Sequence, residues 1–212
     1  MATSATHTTV LLVRHGTTAT TGVVLPGRAP GLHLSDRGRE QADAVAERLG
    51  ALTRAPRALY ASPLERTRET AAPIARRLLL STKVERGLLE CDFGAWTGKK
   101  LAVLSKKPEW QAVQHAPSTF RFPDGESFTE MQVRIWTTLE RLAARHRNQT
   151  IVCVSHADPI KAAVTYAQGV PLDLFQRTVI SPCSVTALVF TRSTPIVLTV
   201  NSTGSLTELV PS

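Results

Sequence analysis

The sequence predicts a three-layer α/β/α sandwich built around a mainly parallel sheet. Short apolar segments rich in β-branched residues alternate with longer segments whose apolar residues recur at helical spacing. This alternation is typical of a parallel sheet that carries helices on both faces. Hydrophobic residues make up 42% of the chain and charged residues 20%, which is an ordinary globular balance. We treat residues 1–212 as a single domain.

The chain begins with a predicted strand followed by a predicted helix. The segment "TTVLLV" at 8–13 is short and apolar, as expected for a buried strand. Residues 36–50 place their apolar side chains on one face, and Ser35 before them is a good N-cap. Gly50 is expected to stop this helix.

A second strand and helix follow. The segment "RALYAS" at 57–62 predicts the strand, and "SPLE" at 62–65 has the spacing of a capping box with Pro63 at the first helical position. The helix is expected to run to about Leu79. Pro73 lies inside it and predicts a kink or a break, because proline has no backbone N–H to donate.

In the second half of the chain, a segment without a regular apolar pattern comes before further predicted helices and strands. An insertion with short helices, which we interpret as a lid, is predicted at about 95–126. The later patterns predict a helix at about 127–147, a strand at 150–155, a helix from Asp158-Pro159 to Gly169, and strands at 184–190 and 195–201. The last two strands are joined by a short turn, so we expect them to add an antiparallel strand to the sheet.

The composition of the chain indicates which classes of binding partner and which cellular location to expect. Three widely spaced cysteines predict buried free thiols in a reducing cytoplasm. The net charge is +8, but the basic residues are interspersed with acidic ones and aromatics are only 5%, so we expect no nucleic-acid partner. A basic surface that attracts phosphorylated metabolites fits better. No apolar run approaches about 18 residues and no signal-peptide pattern is present, so we expect no membrane partner and a cytoplasmic location, and we leave a homodimer open.

Polar side chains follow three of the predicted strands. The first strand ends in Arg14, His15 and Gly16, the strand at 150–155 is followed by His156, and Arg66 lies one turn inside the helix after "RALYAS". Ligands of open parallel sheets bind beyond the carboxyl ends of the strands, and helix N-termini and arginines suit anions. The set therefore predicts a site for one tetrahedral dianion, although each residue alone has a structural explanation.

Five segments resemble the motifs of the histidine phosphatase superfamily, whose fold is phosphoglycerate mutase-like. They are "LLVRHGTT", "LSDRGREQADAVAERL", "LYASPLERTRETAAPIA", "LLECDFGAWTG" and "VCVSHADPIKA", in the family order. The resemblance covers roughly residues 8 to 192 and is closest to an actinobacterial-type branch of probable phosphomutases and phosphatases. It implies a metal-independent phosphatase without a cofactor that acts on a phosphorylated small molecule.

The resemblance also implies a role for each matching residue. His15 corresponds to the nucleophile that forms a phosphohistidine, and Arg14 and Arg66 to the arginines that clamp the phosphate. His156 corresponds to a protonated histidine that donates to a phosphoryl oxygen, and Glu90 to the general acid. The substrate-binding residues that we expect in addition are Thr18, Thr21, Gly27, Arg28 and Ala157.

Several alternatives stay open at this point. Asp92 shares a face with Glu90 if the segment is extended, so spacing alone does not choose between these carboxylates. Arg28 contacts either a distal group of the substrate or only solvent. A dyad of Ser155 and His156 is disfavoured, since adjacent strand residues point to opposite faces. At the level of function, the rivals are a cofactor-dependent phosphoglycerate mutase, a phospho-ligand binding protein with an inactive site, and a nucleic-acid binder.

Overall fold

A computed structural model describes residues 7–204, in which six strands form one sheet of order β3-β2-β4-β1-β5-β6. The strands are β1 (Thr8–Arg14), β2 (Ala58–Ala61), β3 (Thr82–Val84), β4 (Thr150–Ser155), β5 (Val185–Phe190) and β6 (Pro195–Ser202). The pairs β1–β4, β2–β4 and β2–β3 are parallel, whereas β5 is antiparallel to both β1 and β6. Only β5 therefore runs against the other strands, which confirms the predicted sheet.

Helices cover both faces of the sheet. They are α1 (Asp36–Gly50), α2 (Glu65–Leu78), α3 (Leu101–Leu104), α4 (Trp110–His115), α5 (Phe128–Arg145) and α6 (Ala157–Ala167). Alternate residues of β1 face opposite sides: Leu11 packs in the core beneath α1 and α2, and Leu12 in the core beneath α5 and α6. The three-layer α/β/α class is confirmed.

Helix α1 has the predicted bounds, whereas α2 begins later than predicted. Ser35 caps α1, accepting from the backbone N–H of Gly38 at 3.1 Å, and Gly50 is the last helical residue. The capping box at 62–65 is wrong, because Glu65 is the first residue of α2 and Leu64 stands at the cap without a side-chain hydrogen bond. Proline 73 does not break α2, which runs through it to Leu78.

Helix α5 begins where it was predicted, and α6 begins slightly earlier than predicted. Ser127 and Glu130 form a capping box that starts α5. Helix α6 begins one residue after His156, so Asp158 lies inside its first turn and is not its cap. The short edge strand β3 was not predicted, because its three largely exposed residues carry no apolar pattern.

The predicted insertion folds as α3, α4 and two short 3₁₀ turns. Four aromatic rings, those of Trp96, Trp110, Phe120 and Phe122, pack together within it at centroid distances of 4.9–6.2 Å. Its role as a lid stays a prediction. All three cysteines are buried and free, as expected. Across residues 7–204, the helices are too short or too polar to cross a membrane.

Candidate active site

The carboxyl ends of three neighbouring strands meet at one edge of the sheet. The backbone N–H of His15 donates to the carbonyl of Ser155 at 3.0 Å, and that of Ser62 to the carbonyl of Val154 at 3.0 Å. These bonds bring the residues that follow β1, β2 and β4 together. The rings of His15 and His156 consequently lie 5.2 Å apart, edge to face.

His15 is buried and held as a neutral imidazole. Its Nδ1 lies 2.8 Å from the carbonyl oxygen of Gly16, so we assign the proton to Nδ1, which donates to that oxygen. The pKa of His15 is lowered to about 3 by burial and by the nearby charges of Arg66 and Arg14. The lone pair of Nε2 is therefore available near neutral pH.

The loop that carries His15 packs directly on the start of α1. A Cβ on Gly16 would lie 2.5 Å from the carbonyl oxygen of Gly38, and a Cβ on Gly38 would lie 2.0 Å from that of Thr17. The N–H of Gly16 also donates to the hydroxyl of Thr70 at 3.1 Å. Glycine after His15 is thus required by close backbone contact, and not by a left-handed conformation.

Two guanidinium groups flank the histidines. Arg66 is fully buried; its Nη2 donates to the carbonyl of Gly27 at 2.8 Å and lies 3.2 Å from Nδ1 of His156. Arg14 Nη1 donates to the carbonyl of Ile180 at 2.6 Å. Within residues 7–204, the buried Nε and Nη1 of Arg66 and the buried Nε of Arg14 have no hydrogen-bond partner. Unsatisfied buried N–H groups are costly, so the arrangement suits an anion that accepts from them.

His156 is fully buried between Arg66 and Ser62. Because a guanidinium only donates, Nδ1 of His156 must accept from Arg66, and Nε2 then donates to the Ser62 hydroxyl 2.9 Å away. The pKa of His156 is lowered well below its usual value by burial and by Arg66. This arrangement favours a neutral ring, and the protonation of His156 beside a phosphoryl group stays a prediction.

Ser62 is the residue of this site that sequence reasoning missed. Its hydroxyl was assigned to a helix cap, yet it contacts His156 and its side chain is fully buried. The signal was present, because Ser62 follows β2 as His156 follows β4. The Ser155 hydroxyl instead donates to the carbonyl of Leu88 at 2.8 Å, away from His156, as the alternation of strand residues predicts.

Glu90 is a buried carboxyl with an unusually high pKa. Burial raises its pKa to about 7 and the charge of Asp158 adds to the increase, while Arg66 and Arg14 oppose it. Its Oε1 accepts from the backbone N–H of Cys91 at 3.0 Å. This carboxyl is protonated in a large fraction of molecules near neutral pH and can therefore give up a proton.

Asp92 is placed differently from Glu90. Its Oδ2 lies 3.3 Å from Nη1 of Arg28, and its Oδ1 accepts from the N–H of Gly94 at 3.1 Å. Its side chain is 41% exposed, so it lacks the burial that raises the pKa of Glu90. Of the two rival carboxylates, Glu90 is the one in the electrostatic environment of Arg14 and Arg66.

Gly27 and Arg28 form hydrogen bonds and ion pairs with other residues of the protein. Gly27 has φ +52° and presents its carbonyl to Arg66. Arg28 donates through Nε to the carbonyl of Glu90 at 2.9 Å and pairs with Asp92 and Glu126. Arg28 is therefore tied to protein groups and is not merely solvated, and its contact with a distal group of the substrate stays a prediction.

The other predicted substrate-binding residues are Thr18, Thr21 and Ala157. The two threonines form hydrogen bonds with each other. The Thr21 hydroxyl accepts from the N–H of Thr18 at 2.9 Å and pairs with the Thr18 hydroxyl at 3.0 Å. Ala157 is the first residue of α6, directly after His156. Among the residues described, no group of three or more His, Cys, Asp and Glu side chains is arranged to hold a metal ion.

A model of the histidine phosphatase superfamily, branch 1, matches residues 10–203. The chain belongs to this superfamily.

It is 33% identical over 204 residues to phosphoserine phosphatase 1 of Hydrogenobacter thermophilus, covering 94% of both chains. It is 30% identical over 178 residues to the probable phosphoglycerate mutase GpmB of Erwinia tasmaniensis, covering 83% of this chain and 82% of that protein. The solved phosphoserine phosphatase of Entamoeba histolytica, in complex with 3-phosphoglyceric acid, superposes with a TM-score of 0.83 at 25% identity, covering 92% of this chain and 98% of that one. The resemblance inferred from the motifs is confirmed.

Proposed function

We propose that this protein hydrolyses the phosphoric monoester of a small phosphorylated metabolite through a phosphohistidine formed on His15. The observation that carries the proposal is a buried neutral imidazole with a free Nε2, placed beside guanidinium N–H groups that have no partner among residues 7–204. The first provides a nucleophile and the second an oxyanion site. Membership of the histidine phosphatase superfamily and the named phosphatases among its relatives support the same reaction.

In the first step, the lone pair of His15 Nε2 attacks phosphorus and forms an N–P bond. The bond between phosphorus and the ester oxygen breaks, and its electron pair leaves with that oxygen. Glu90 gives its proton to the leaving oxygen, which departs as an alcohol. Arg14 and Arg66 donate to the remaining phosphoryl oxygens, whose charge they neutralise in the transition state.

In the second step, Glu90 acts as a carboxylate. It takes a proton from a water molecule whose oxygen attacks phosphorus, and the N–P bond breaks with its electron pair returning to Nε2 of His15. Phosphate leaves, and both His15 and Glu90 regain their starting forms. A pKa near 7 suits Glu90 for both directions of proton transfer.

His156 changes its role when the phosphoryl dianion enters. In the structure its Nδ1 accepts from Arg66. A dianion beside the ring favours the charged imidazolium, so a proton on Nδ1 can then be donated to a phosphoryl oxygen. The Ser62 hydroxyl keeps the opposite side of the ring fixed throughout.

A panel of phosphate esters tests the proposal. The panel contains phosphoserine and 3-phosphoglycerate, because relatives carry these names, together with sugar phosphates, nucleotides and p-nitrophenyl phosphate. We expect phosphate release from at least one metabolite and its loss in His15→Ala. Failure of the folded enzyme to release phosphate from any member would contradict the proposal.

A phosphomutase is the second candidate, supported by the similarity to a probable phosphoglycerate mutase. A mutase must protect its phosphoenzyme from water while the intermediate reorients. The phosphoserine phosphatase relative is 33% identical over 94% of both chains, so we favour the hydrolase. Supplying 3-phosphoglycerate with catalytic 2,3-bisphosphoglycerate should give free phosphate and at most a trace of 2-phosphoglycerate. Rapid isomerisation without phosphate release would favour the mutase.

We also propose a cytoplasmic protein that binds no nucleic acid, and we leave the homodimer as a prediction. The cytoplasmic location is supported by the free thiols of Cys91, Cys153 and Cys183. Titration with random DNA at several salt concentrations tests the second point, because phosphate-backbone binding depends steeply on salt. Sedimentation of the purified protein tests the homodimer.

A further inference from the structure

We infer that Glu126 is a positioning residue for Glu90, acting through Arg28 and Arg134. The inference rests on the proposed function, in which Glu90 transfers the proton. Glu126 lies at the end of the irregular segment that precedes α5, 36 positions beyond Glu90 in the sequence. It contacts no reacting group, and its effect on the reaction passes through the backbone of the segment at 87–92.

Glu126 joins two guanidinium groups in a nearly buried network. Arg134 forms a two-pronged pair with it, from Nε to Oε1 at 2.7 Å and from Nη2 to Oε2 at 2.9 Å. Arg28 Nη2 donates to the same Oε2 at 3.0 Å. The Glu126 side chain is 13% exposed and that of Arg134 is 21% exposed, so these charges are screened less than a surface pair.

Both arginines also donate hydrogen bonds to backbone carbonyls around Glu90. Arg134 Nη1 donates to the carbonyls of Gly87 at 2.8 Å and Leu89 at 2.9 Å. The carbonyl of Glu90 itself accepts from Arg28 Nε at 2.9 Å and from Arg134 Nη2 at 3.3 Å. The backbone that carries the catalytic carboxyl is therefore held by two cations, and Glu126 keeps both in place.

Glu126 also binds the segment directly on the other side of Glu90. Its backbone N–H donates to the carbonyl of Asp92 at 2.9 Å, and its Oε2 accepts from the N–H of Asp92 at 3.3 Å. Residues 89–93 belong to no helix or strand, so no regular ladder fixes Glu90. The network supplies the rigidity that secondary structure supplies for His15 and His156.

The same loop links the proton donor to the phosphate clamp. Arg28 holds the carbonyl of Glu90, and the preceding Gly27 presents its own carbonyl to Arg66 at 2.8 Å. A shift of Arg28 would therefore move Glu90 relative to His15, whereas Arg66 is also held beside His156. General acid catalysis requires hydrogen-bond reach to the leaving oxygen, and displacements near 1 Å are enough to weaken it.

Glu126→Gln tests this inference, because it keeps the size of the side chain but removes its charge and replaces one acceptor oxygen by an NH2 group, which cannot accept from a guanidinium. Two rates are measured: turnover of phenyl phosphate, whose leaving group needs the acid, and the pre-steady-state burst of p-nitrophenol, whose leaving group does not. We expect turnover of phenyl phosphate to fall about 10-fold or more, with a burst rate changed less than about 2-fold. Glu90→Gln provides the reference for complete loss of the acid.

Glu130→Gln is the matched control. Glu130 undergoes the same chemical change only four positions away, but it pairs with the exposed Arg121 and caps α5 without contact to the segment around Glu90. We expect the ratio of the two rates to stay at the wild-type value in this variant. Loss of active enzyme alone would lower the turnover and the burst amplitude by the same factor and leave the burst rate constant unchanged. Turnover is therefore divided by the burst amplitude, which counts active sites, before the two rates are compared.

The outcomes separate the two proposals. An unchanged rate ratio in Glu126→Gln, alongside an altered ratio in Glu90→Gln, would overturn the positioning role of Glu126 and leave the proposed function intact. Absence of p-nitrophenol release by the wild-type enzyme, or an unchanged ratio in Glu90→Gln, would contradict the proposed function itself. If Glu126→Gln folds poorly, Arg134→Lys keeps the charge but loses the fork to Glu126, and an altered ratio there is expected for the same reason.

Discussion

At the residue scale, burial acts in opposite chemical directions on His15 and Glu90. It lowers the pKa of the imidazole to about 3 and raises that of the carboxyl to about 7. Both changes favour the uncharged form, because desolvation penalises charge. The proposed nucleophile is thereby kept free of its proton while the proposed acid retains its own, which is the combination that the proposed first step needs.

This pair predicts the pH dependence of the enzyme. Glu90 must be protonated to act as an acid, so kcat/KM for phenyl phosphate should fall as the pH rises through about 7. His15 must be neutral, and it stays so until the pH approaches about 3, so it causes no loss between pH 5 and pH 7. Glu90→Gln should abolish the fall on the alkaline side. A fall that persists unchanged in Glu90→Gln would assign it to another group or to the substrate.

Ser62 predicts a second effect at this scale. Ser62→Ala leaves the buried Nε2–H of His156 without its acceptor, which costs about 1–3 kcal/mol of stability. It also frees the ring to turn, so we expect kcat to fall about 10-fold with little change in KM. Thermal unfolding and steady-state kinetics measure both effects.

Ser155→Ala is the matched control, since it removes a hydroxyl that donates to the carbonyl of Leu88 from an equally buried serine. It should lower stability by a comparable amount and kcat by much less. Equal losses of kcat in the two variants would show that burial, and not contact with His156, explains the effect of Ser62→Ala.

At the scale of elements, the strands were predictable because their apolar runs need no distant partner to be recognised. The strands at 8–13, 57–62 and 150–155 were found within one or two residues of their bounds. Helix starts were less predictable, because a serine that can cap a helix can also bond a distant side chain. The Ser62 hydroxyl bonds to His156 and does not cap the helix, because β2 and β4 are neighbours in the sheet.

The contact between the His15 loop and the start of α1 gives a prediction at this scale. Gly38→Ala would place a Cβ 2.0 Å from the carbonyl oxygen of Thr17, so loop and helix must separate. We expect a loss of about 1–3 kcal/mol in stability, as for other overpacked sites, and a drop in the rate of phosphoryl transfer. Gly204→Ala, whose Cβ meets nothing within 4 Å, is the control. A Gly38→Ala enzyme with wild-type stability and burst rate would contradict this account of the loop.

At the scale of the whole molecule, the sequence located the site residues that follow strands but not the network that supports them. Arg14, His15 and His156 follow directly from the geometry of a parallel sheet. Glu126 and Arg134 could not be found this way, because their partners are backbone carbonyls around Glu90, far away in the sequence. The role of Arg28 was missed for the same reason.

The distribution of charge over the molecule predicts independence from metal ions. Arg14 and Arg66 supply positive charge at the site, and residues 7–204 contain no cluster of side chains suited to a metal ion. We expect full activity after incubation with EDTA and dialysis. Loss of activity that a divalent cation restores would contradict this expectation.

The central claim is that His15 carries the phosphoryl group. The most direct measurement mixes enzyme and p-nitrophenyl phosphate, quenches within the burst in alkaline denaturant, and maps the phosphorylated peptide by mass spectrometry. We expect one phosphoryl group, located on His15, and none in His15→Ala. A phosphoryl group on another residue, or labelling that persists in His15→Ala, would contradict it.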